Sequence, residues 1–384
     1  MLELTKQRTA ELQDRLAEEA IDLAVITDPD SIAFLAGFWG YLGIEFGRPT
    51  LLLVPRDGDP IVITPLMERE MVAAMTWVQD VRPWQDDGPE SWQAVLEGAL
   101  AEHKAAVLGT EGEKTAGPIS AHMAAHHGGR TQRLVTGLIS AMRVIKTPLE
   151  LDIMRQAGQV AIAMVEAGKG ALAEGVPEYE AALAVIAGGS RKAAEFLTDR
   201  GWEAFVSPVI HNLQILQSGH DTAMVHRRAS VRRLGLGDPV YFCFCNMANF
   251  KQYKLGFDRQ FFIGEVSDDK ARDYERTIAA QGAALGAIHA GAIAEEVHFA
   301  AAEVYQAAGY GPGYRTGRSI GISYLEAPEL KAGDKTVLRE GMTFAVDGGI
   351  TVDGQYGCRV GDSIVVTKEG FEYLTPFPKE LTVV

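Results

Sequence analysis

The sequence has 384 residues, of which 47% are hydrophobic and 23% are charged, which is typical of a folded chain with a sizeable core. At about 150 residues per domain, this length predicts two or three domains. The formal net charge is -15, from 36 Lys and Arg against 51 Asp and Glu. This excess of acid disfavours binding to nucleic acid and to anionic membrane surfaces.

The sequence indicates neither a membrane span nor a disulfide framework. No apolar run reaches the roughly 18 residues that a span requires, and Met1–Lys6 lacks the basic and apolar pattern of a signal peptide. The three cysteines, Cys243, Cys245 and Cys358, are too few for a disulfide scaffold, and no second Cys or His pair has zinc-ligand spacing. We therefore expect a cytoplasmic protein with reduced thiols.

Residues 1–140 are predicted to form an α/β domain. Apolar residues recur with helical period over 5–25, and the short apolar run that overlaps its end, 23–26, suits a buried strand. Two further apolar runs, 51–54 and 61–63, are separated by an Asp-Gly pair, which is typical of a hairpin turn. Further predicted elements are helices near 66–76 and 90–104 and a strand at 106–108.

Residues 141–384 are predicted to form a second domain, in which helices and strands come in blocks as in α+β folds. Thr147 can cap a helix that begins with Pro148, and Glu150 completes a capping box. The predicted helices cover about 148–172, 177–196 and 268–308, the last broken at 289–291, and strands are predicted up to about 265 and around 342–346 and 363–366.

One histidine pair in the first domain has the spacing of metal ligands. His122 and His126 lie one helical turn apart, but the sequence offers no nearby glutamate to complete a site. We therefore interpret this segment as an exposed helix end.

Several local patterns follow one another in an order that resembles a known family. These are Asp28–Phe38, Met142–Pro148, Val225–Arg228, Gly237-Asp238, Glu340–Phe344 and Arg359–Asp362. With them, the chain resembles the creatinase, prolidase and aminopeptidase P family. The resemblance implies an α+β protein, with a pita-bread catalytic domain at 141–384 preceded by a smaller α/β creatinase-type domain at 1–140.

The peptidases of that family bind two divalent metals through two aspartates, a histidine and two glutamates. The resemblance places Cys243, Gly256, Arg318, Asp347 and Gly361 at these positions. Four of the five do not suit a site for hard cations, and Arg318 would add positive charge where a cation should lie. Cys243 is interpreted as a small core residue without a partner ligand. We therefore expect no catalytic metal and no cofactor.

Loss of these ligands makes the chain resemble the creatinase-like and ectoine-hydrolase-like branch, whose members cleave C–N bonds in small zwitterions without metal. Phe46 and Arg48 resemble the creatinase residues that hold the substrate carboxylate across a dimer interface. The resemblance therefore predicts a homodimeric, metal-independent amidinohydrolase or ectoine-hydrolase-like enzyme. Its substrate would be a small zwitterionic amidine, guanidino compound or cyclic amide.

The same resemblance gives roles to residues of the second domain. His226 falls where the family has its proton-transferring histidine, and imidazole can act as both base and acid near neutral pH. Asp258 and Asp347 fall where creatinase has glutamates that surround the guanidinium group, and Arg318 is grouped with them as substrate-binding.

Each assignment has a structural alternative. These are a hydrogen-bonding histidine at His226, a surface ion pair between Asp258 and Arg259, a turn cap at Asp347 and a solvated loop arginine at Arg48. Two other functions also stay open: a catalytically inactive pita-bread binding protein, and a residual metallopeptidase that acts on Xaa-Pro bonds.

Overall fold

The computed structural model describes residues 1–202, 206–210 and 215–384. It divides into two compact units, Met1–Met142 and Arg143–Val384. Each unit contains its own main β-sheet. No helix within the described residues has the length and apolar character that a membrane span needs.

The smaller unit contains a mixed sheet. Its strands are β1 (Leu23–Ile26), β2 (Leu51–Pro55), β3 (Ile61–Pro65), β4 (Asp80–Trp84), β5 (Val107–Thr110) and β6 (Thr131–Leu134). Its helices are α1 (Leu2–Glu18), α2 (Pro29–Ala36), α3 (Leu42–Glu45), α4 (Arg69–Met75), α5 (Trp92–Glu102), α6 (Gly117–His127) and α7 (Thr136–Arg143), the last ending just past the division between the units. The strand order is β4-β3-β2-β1-β5-β6. The predicted hairpin is confirmed, since β2 and β3 pair antiparallel and Gly58 has a φ of 109°.

The larger unit contains a sheet that has eight strands among the described residues. Its helices are α8 (Pro148–Gly170), α9 (Glu178–Arg200), α10 (Asp268–Gly286) and α11 (Ala294–Ala307). Its strands are β7 (Ile215–Ser218), β8 (Pro239–Cys243), β9 (Asn249–Phe250), β10 (Tyr253–Lys254), β11 (Asp258–Phe262), β12 (Gly317–Ser319), β13 (Glu326–Leu330), β14 (Thr343–Val352), β15 (Tyr356–Val366) and β16 (Phe371–Tyr373). The order is β13-β12-β14-β15-β11-β8-β7, with β16 paired to β15, and all of these pairs are antiparallel. The predicted α+β class is confirmed.

Helix starts and packing follow from the local sequence. Thr147 and Glu150 form the predicted capping box at the start of α8, with the Thr147 N–H donating to the Glu150 carboxylate at 2.8 Å. Alanines of α10 and α11 share one hydrophobic core with Phe344 and Ile364 of the sheet. Small helix residues allow such close approach, which leaves the central strands buried.

A buried ionic network holds β11 against β15. The Arg259 guanidinium donates to the Asp362 carboxylate at 2.6 Å, and the Lys379 ammonium donates to its other oxygen at 3.0 Å. Gln281 of α10 donates to the same carboxylate at 3.1 Å. Because these charges pair with one another, this network fixes the strand positions without needing a ligand.

Candidate active site

Strand register brings three of the four predicted site residues of the larger unit into one row. Asp258 of β11 lies opposite Cys243 of β8 on one side and Gly361 of β15 on the other. Gly361 in turn lies opposite Asp347 of β14. Residues directly opposite in an antiparallel pair point to the same face, so this register places the side chains together. Arg318 of β12 reaches the row from the next strand and pairs with Asp347.

Gly361 provides the space that the two carboxylates use. A Cβ atom added at Gly361 would lie 2.6 Å from Oδ2 of Asp258 and 3.0 Å from Cβ of Asp347. A glutamate at this position would therefore displace Asp258. In this chain the Asp258 carboxylate, from the neighbouring strand, occupies the space above residue 361.

The ion pair between Arg318 and Asp347 is the main polar contact of the site. Arg318 is only 4% exposed, and its guanidinium carbon lies 4.4 Å from the centre of the Tyr324 ring. Burial by itself lowers the pKa of Arg318, but Asp347, Cys245 and Asp258 outweigh it and hold that pKa above its ordinary value. Within the described part of the chain, the Arg318 Nε and the Tyr324 hydroxyl are buried without a hydrogen-bond partner.

On the other side of the site, burial of the acidic groups outweighs the nearby positive charge and raises their pKa values. Burial, with the nearby charge of Asp347, raises the pKa of Asp258 from 3.8 to about 6. Burial also raises the pKa of the Cys243 thiol well above its ordinary value. The hydrogen bond with Cys243 lowers the pKa of Cys245, but burial and Asp258 outweigh this contact and raise it.

Two structural alternatives to these assignments are wrong. Asp258 is buried at 4% exposure and forms no surface ion pair with Arg259, whose guanidinium binds Asp362 instead. Asp347 lies in the middle of β14 rather than at a turn, so it does not cap one. Both carboxylates belong to the row, with Asp258 buried and Asp347 half-buried.

The remaining predicted residues lie elsewhere. His226 is exposed, in the turn that follows a short 3-10 helix at Gly219–Ala223. Phe46 and Arg48 belong to the smaller unit, where Phe46 is 66% exposed and Arg48 forms an ion pair with Asp86. Their predicted roles stay predictions.

Sequence analysis missed two contacts that the fold creates. Cys243 is a buried core residue, as the sequence predicted, but the expectation that it has no partner is wrong, because its sulfur lies 2.7 Å from that of Cys245, which lies 3.8 Å from an Asp258 carboxylate oxygen. The Cys-X-Cys spacing places both side chains on one face where the chain is extended, and this was the available signal.

The predicted helix end is present, because α6 ends at His127 and His126 is exposed, but the expectation that no glutamate lies near His122 is wrong. Glu97 of α5 binds His122 and His127 of α6, with 2.7 Å between its Oε1 and each Nε2. His126 instead stacks on His122, with 4.5 Å between the ring centres. Glu97 lies 25 residues before His122, so no short sequence pattern joins them.

Comparisons with known proteins agree with the two-unit architecture. Residues 8–145 match the creatinase/prolidase N-terminal domain, and residues 152–368 match metallopeptidase family M24. The chain belongs to metallopeptidase family M24. The predicted membership of the creatinase, prolidase and aminopeptidase P family and the predicted fold are thereby confirmed.

Several relatives cover nearly the whole chain. A probable dipeptidase PepE from Mycobacterium tuberculosis is 30% identical, with 100% of this chain and 97% of the relative covered. An agropine synthesis cyclase from Rhizobium rhizogenes is 28% identical, with coverages of 98% and 96%. The structure of an Xaa-Pro dipeptidase from Bacillus anthracis aligns with a TM-score of 0.79 at 26% identity, covering 99% of this chain and 100% of that one.

These findings correct the predicted function. The prediction of a metal-independent amidinohydrolase or ectoine-hydrolase-like enzyme, cleaving a C–N bond in a small zwitterionic nitrogen compound, is wrong. The chain matches a metallopeptidase family, and dipeptidases match it along its full length. The predicted function rested on residue identity at five family positions, whereas the similarity to dipeptidases extends over the whole chain.

The residues nevertheless do not fit the paired metal centre that the resemblance implied. Gly256 and Gly361 have no side chain to offer, and the space above Gly361 is filled by Asp258. The Arg318 guanidinium is a cation and cannot replace an imidazole ligand. Two hard metal ions would therefore lack most of their ligands here.

Proposed function

We propose that this protein is a hydrolase that cleaves the peptide bond of a dipeptide-sized substrate. The observation that carries the proposal is the buried row of Asp258, Asp347 and Arg318, which lies on the central strands of an M24 fold. Full-length similarity to dipeptidases supports peptide-bond hydrolysis over the other reactions considered.

Arg318 is the residue best suited to stabilise the charge that develops during hydrolysis. Attack of water on an amide places negative charge on the carbonyl oxygen, and fixed N–H donors in a buried site stabilise it. Asp347 holds the guanidinium in place. Arg318 Nε and the Tyr324 hydroxyl are two buried donors at the site that have no partner among the described residues.

His226 remains the proposed proton-transferring residue. Its exposed position leaves the imidazole accessible to water and substrate, and an imidazole can take a proton from water and give one to the leaving nitrogen. The turn that carries it is anchored to the sheet, since the Gly357 N–H donates to the Thr222 hydroxyl at 2.9 Å.

The proposal is tested with a panel of Xaa-Pro dipeptides and matched Xaa-Ala dipeptides. Hydrolysis is measured as the release of free amino acid. We expect wild-type protein to be active and R318K to lose about a hundredfold in kcat/KM, as removal of one fixed donor does elsewhere. Arg315→Lys is the matched control, because Arg315 pairs with Glu329 outside the row. No turnover of any dipeptide by freshly purified protein would contradict the proposal.

A ring-closing reaction is the second candidate. It is favoured by the agropine synthesis cyclase, which covers 98% of this chain, together with the absence of the usual paired-metal residues. Mass spectrometry separates the two reactions, because hydrolysis adds one water to the substrate and ring closure removes one. Loss of water from an open-chain amino or hydroxy acid would favour the cyclase.

The predicted homodimer, the carboxylate-binding role of Phe46 and Arg48 and the cytoplasmic location also stay proposals. If the loop with Arg48 completes the site of a neighbouring subunit, a mixture of Arg48→Ala and His226→Ala chains should regain part of the activity that each lacks. No regain despite verified subunit exchange would contradict a shared site.

A further inference from the structure

Three potential metal ligands meet on one face of the central sheet. The ligand atoms of Cys243, Cys245 and Asp258 all lie within 4.8 Å of one another. Cys243 and Asp258 are opposite each other in the β8–β11 pair, and Cys245 lies two residues later in the turn that follows β8. Strand register therefore sets the contact between Cys243 and Asp258, and the turn brings the Cys245 sulfur to both.

The cluster contains acids without a cation of their own. Arg318, the nearest cation, is engaged with Asp347, although its Nη2 also lies 3.6 Å from the Cys245 sulfur. The two sulfurs lie 2.7 Å apart, so two thiolates here would need a cation to balance their charge and would move apart around it.

We infer that Cys243, Cys245 and Asp258 bind one thiophilic divalent metal ion, such as Zn²⁺. Two thiolates and one carboxylate form a ligand set that suits zinc, whereas hard cations prefer oxygen ligands only. This inference rests on the proposed function and identifies the cation that the same site would use.

The coordination would be open. Three protein ligands leave the fourth position of a tetrahedral ion for water or substrate, as in catalytic rather than structural zinc sites. An ion held this way supplies a Lewis acid and lowers the pKa of bound water.

The surrounding residues suit the bound state. Arg318 can donate an N–H to the Cys245 thiolate, and such outer contacts orient ligands and balance their charge. Asp347 keeps the guanidinium in position for this contact. Because both thiols are protonated without metal, binding should release about two protons per ion.

The test uses full-length protein stripped with a chelator under reducing conditions and reloaded with Co²⁺ or Zn²⁺. We expect one ion per chain, a sulfur-to-cobalt charge-transfer band, and proton release detected with an indicator in weak buffer. C243S, C245S and D258N should each weaken binding by about a hundredfold or more, because ligands matter at least as much as the contacts that support them. C358S is the matched control, since Cys358 is a buried thiol outside the cluster.

Circular dichroism confirms that each variant is folded before binding is measured. Absence of the charge-transfer band, equal binding by C243S and wild-type protein, or a Cys243–Cys245 disulfide in freshly purified protein would overturn the inference. Dipeptide hydrolysis by verified metal-free protein would overturn the use of this ion in catalysis and leave the proposed function standing. Metal binding without turnover of any dipeptide would support the metal site and contradict the proposed function.

Discussion

Two clusters of potential metal ligands, one in each unit, differ in how their charges are balanced. Glu97, His122 and His127 form the first, and Cys243, Cys245 and Asp258 form the second. Burial raises the pKa of Glu97, but hydrogen bonds from the two histidines outweigh it and leave that pKa lowered. In the second cluster, all three pKa values are raised.

The difference shows that proximity of ligand atoms is not enough to identify a metal site. The carboxylate of the first cluster is already stabilised by imidazole N–H groups, so an entering metal must displace contacts that are favourable without it. The acids of the second cluster share one nearby guanidinium, Arg318, which already pairs with Asp347, so a further cation would relieve repulsion there. We therefore expect metal in the cysteine cluster and not in the histidine cluster.

The largest expected effect comes from removing the one cation of the active-site row. R318M leaves the Asp347 carboxylate unpaired beside Asp258, and breaking a buried pair in this way typically lowers the free energy of unfolding by about 3–5 kcal/mol. Urea denaturation measures the change. R315M is the control. The double variant R318M/D347N should recover most of the loss, because the Asp347 charge is removed together with its partner. An R318M variant as stable as wild-type protein would contradict the view that Asp347 depends on Arg318 for its charge balance.

The next effect is a fall in stability as pH rises, in metal-free protein. The pKa of Asp258 is raised from 3.8 to about 6, so the folded state binds the proton more tightly than the unfolded state. The free energy of unfolding should therefore fall between about pH 4 and pH 6, by up to about 3 kcal/mol. D258N should lack this contribution. Thermal denaturation across this range measures it, and identical profiles for both proteins would contradict the assignment.

The histidine cluster should show a smaller effect of opposite sign. The pKa of Glu97 is lowered, so its contribution is present above the ordinary carboxyl pKa near 4.5 and is lost as pH falls through the folded value. E97Q should cost about 1 kcal/mol near pH 7, because solvent screens this partly exposed group, and nothing at pH 3. Urea denaturation at both pH values measures the difference. A cost that does not change with pH would show that the charge of Glu97 is irrelevant.

The sequence predicted elements whose signals are local. The capping box at Thr147 and the Asp-Gly hairpin each depend on a few neighbouring residues, and both are present. The α+β class follows from the order of such elements. Family motifs indicated Asp347 as a site residue, and the structure places it within β14.

The active-site contacts depend on strand register, which the sequence does not state. Cys243 meets Asp258 only because β8 and β11 pair with that register. The space that Asp258 fills exists only because residue 361, 103 positions later, is glycine and lies beside it. Each family ligand position, considered alone, therefore predicts a lost metal ligand. The contact among two thiols and a carboxylate appears only when the strands pair.

Zinc-edge X-ray absorption on protein loaded with one equivalent of Zn²⁺ tests the central claim most directly. Scattering from neighbouring atoms distinguishes sulfur from nitrogen and oxygen ligands. We predict two sulfur atoms at about 2.3 Å and a lighter shell near 2.0 Å, which C243S should reduce to one sulfur. A shell of nitrogen and oxygen alone would contradict the claim and would show that zinc binds at another cluster.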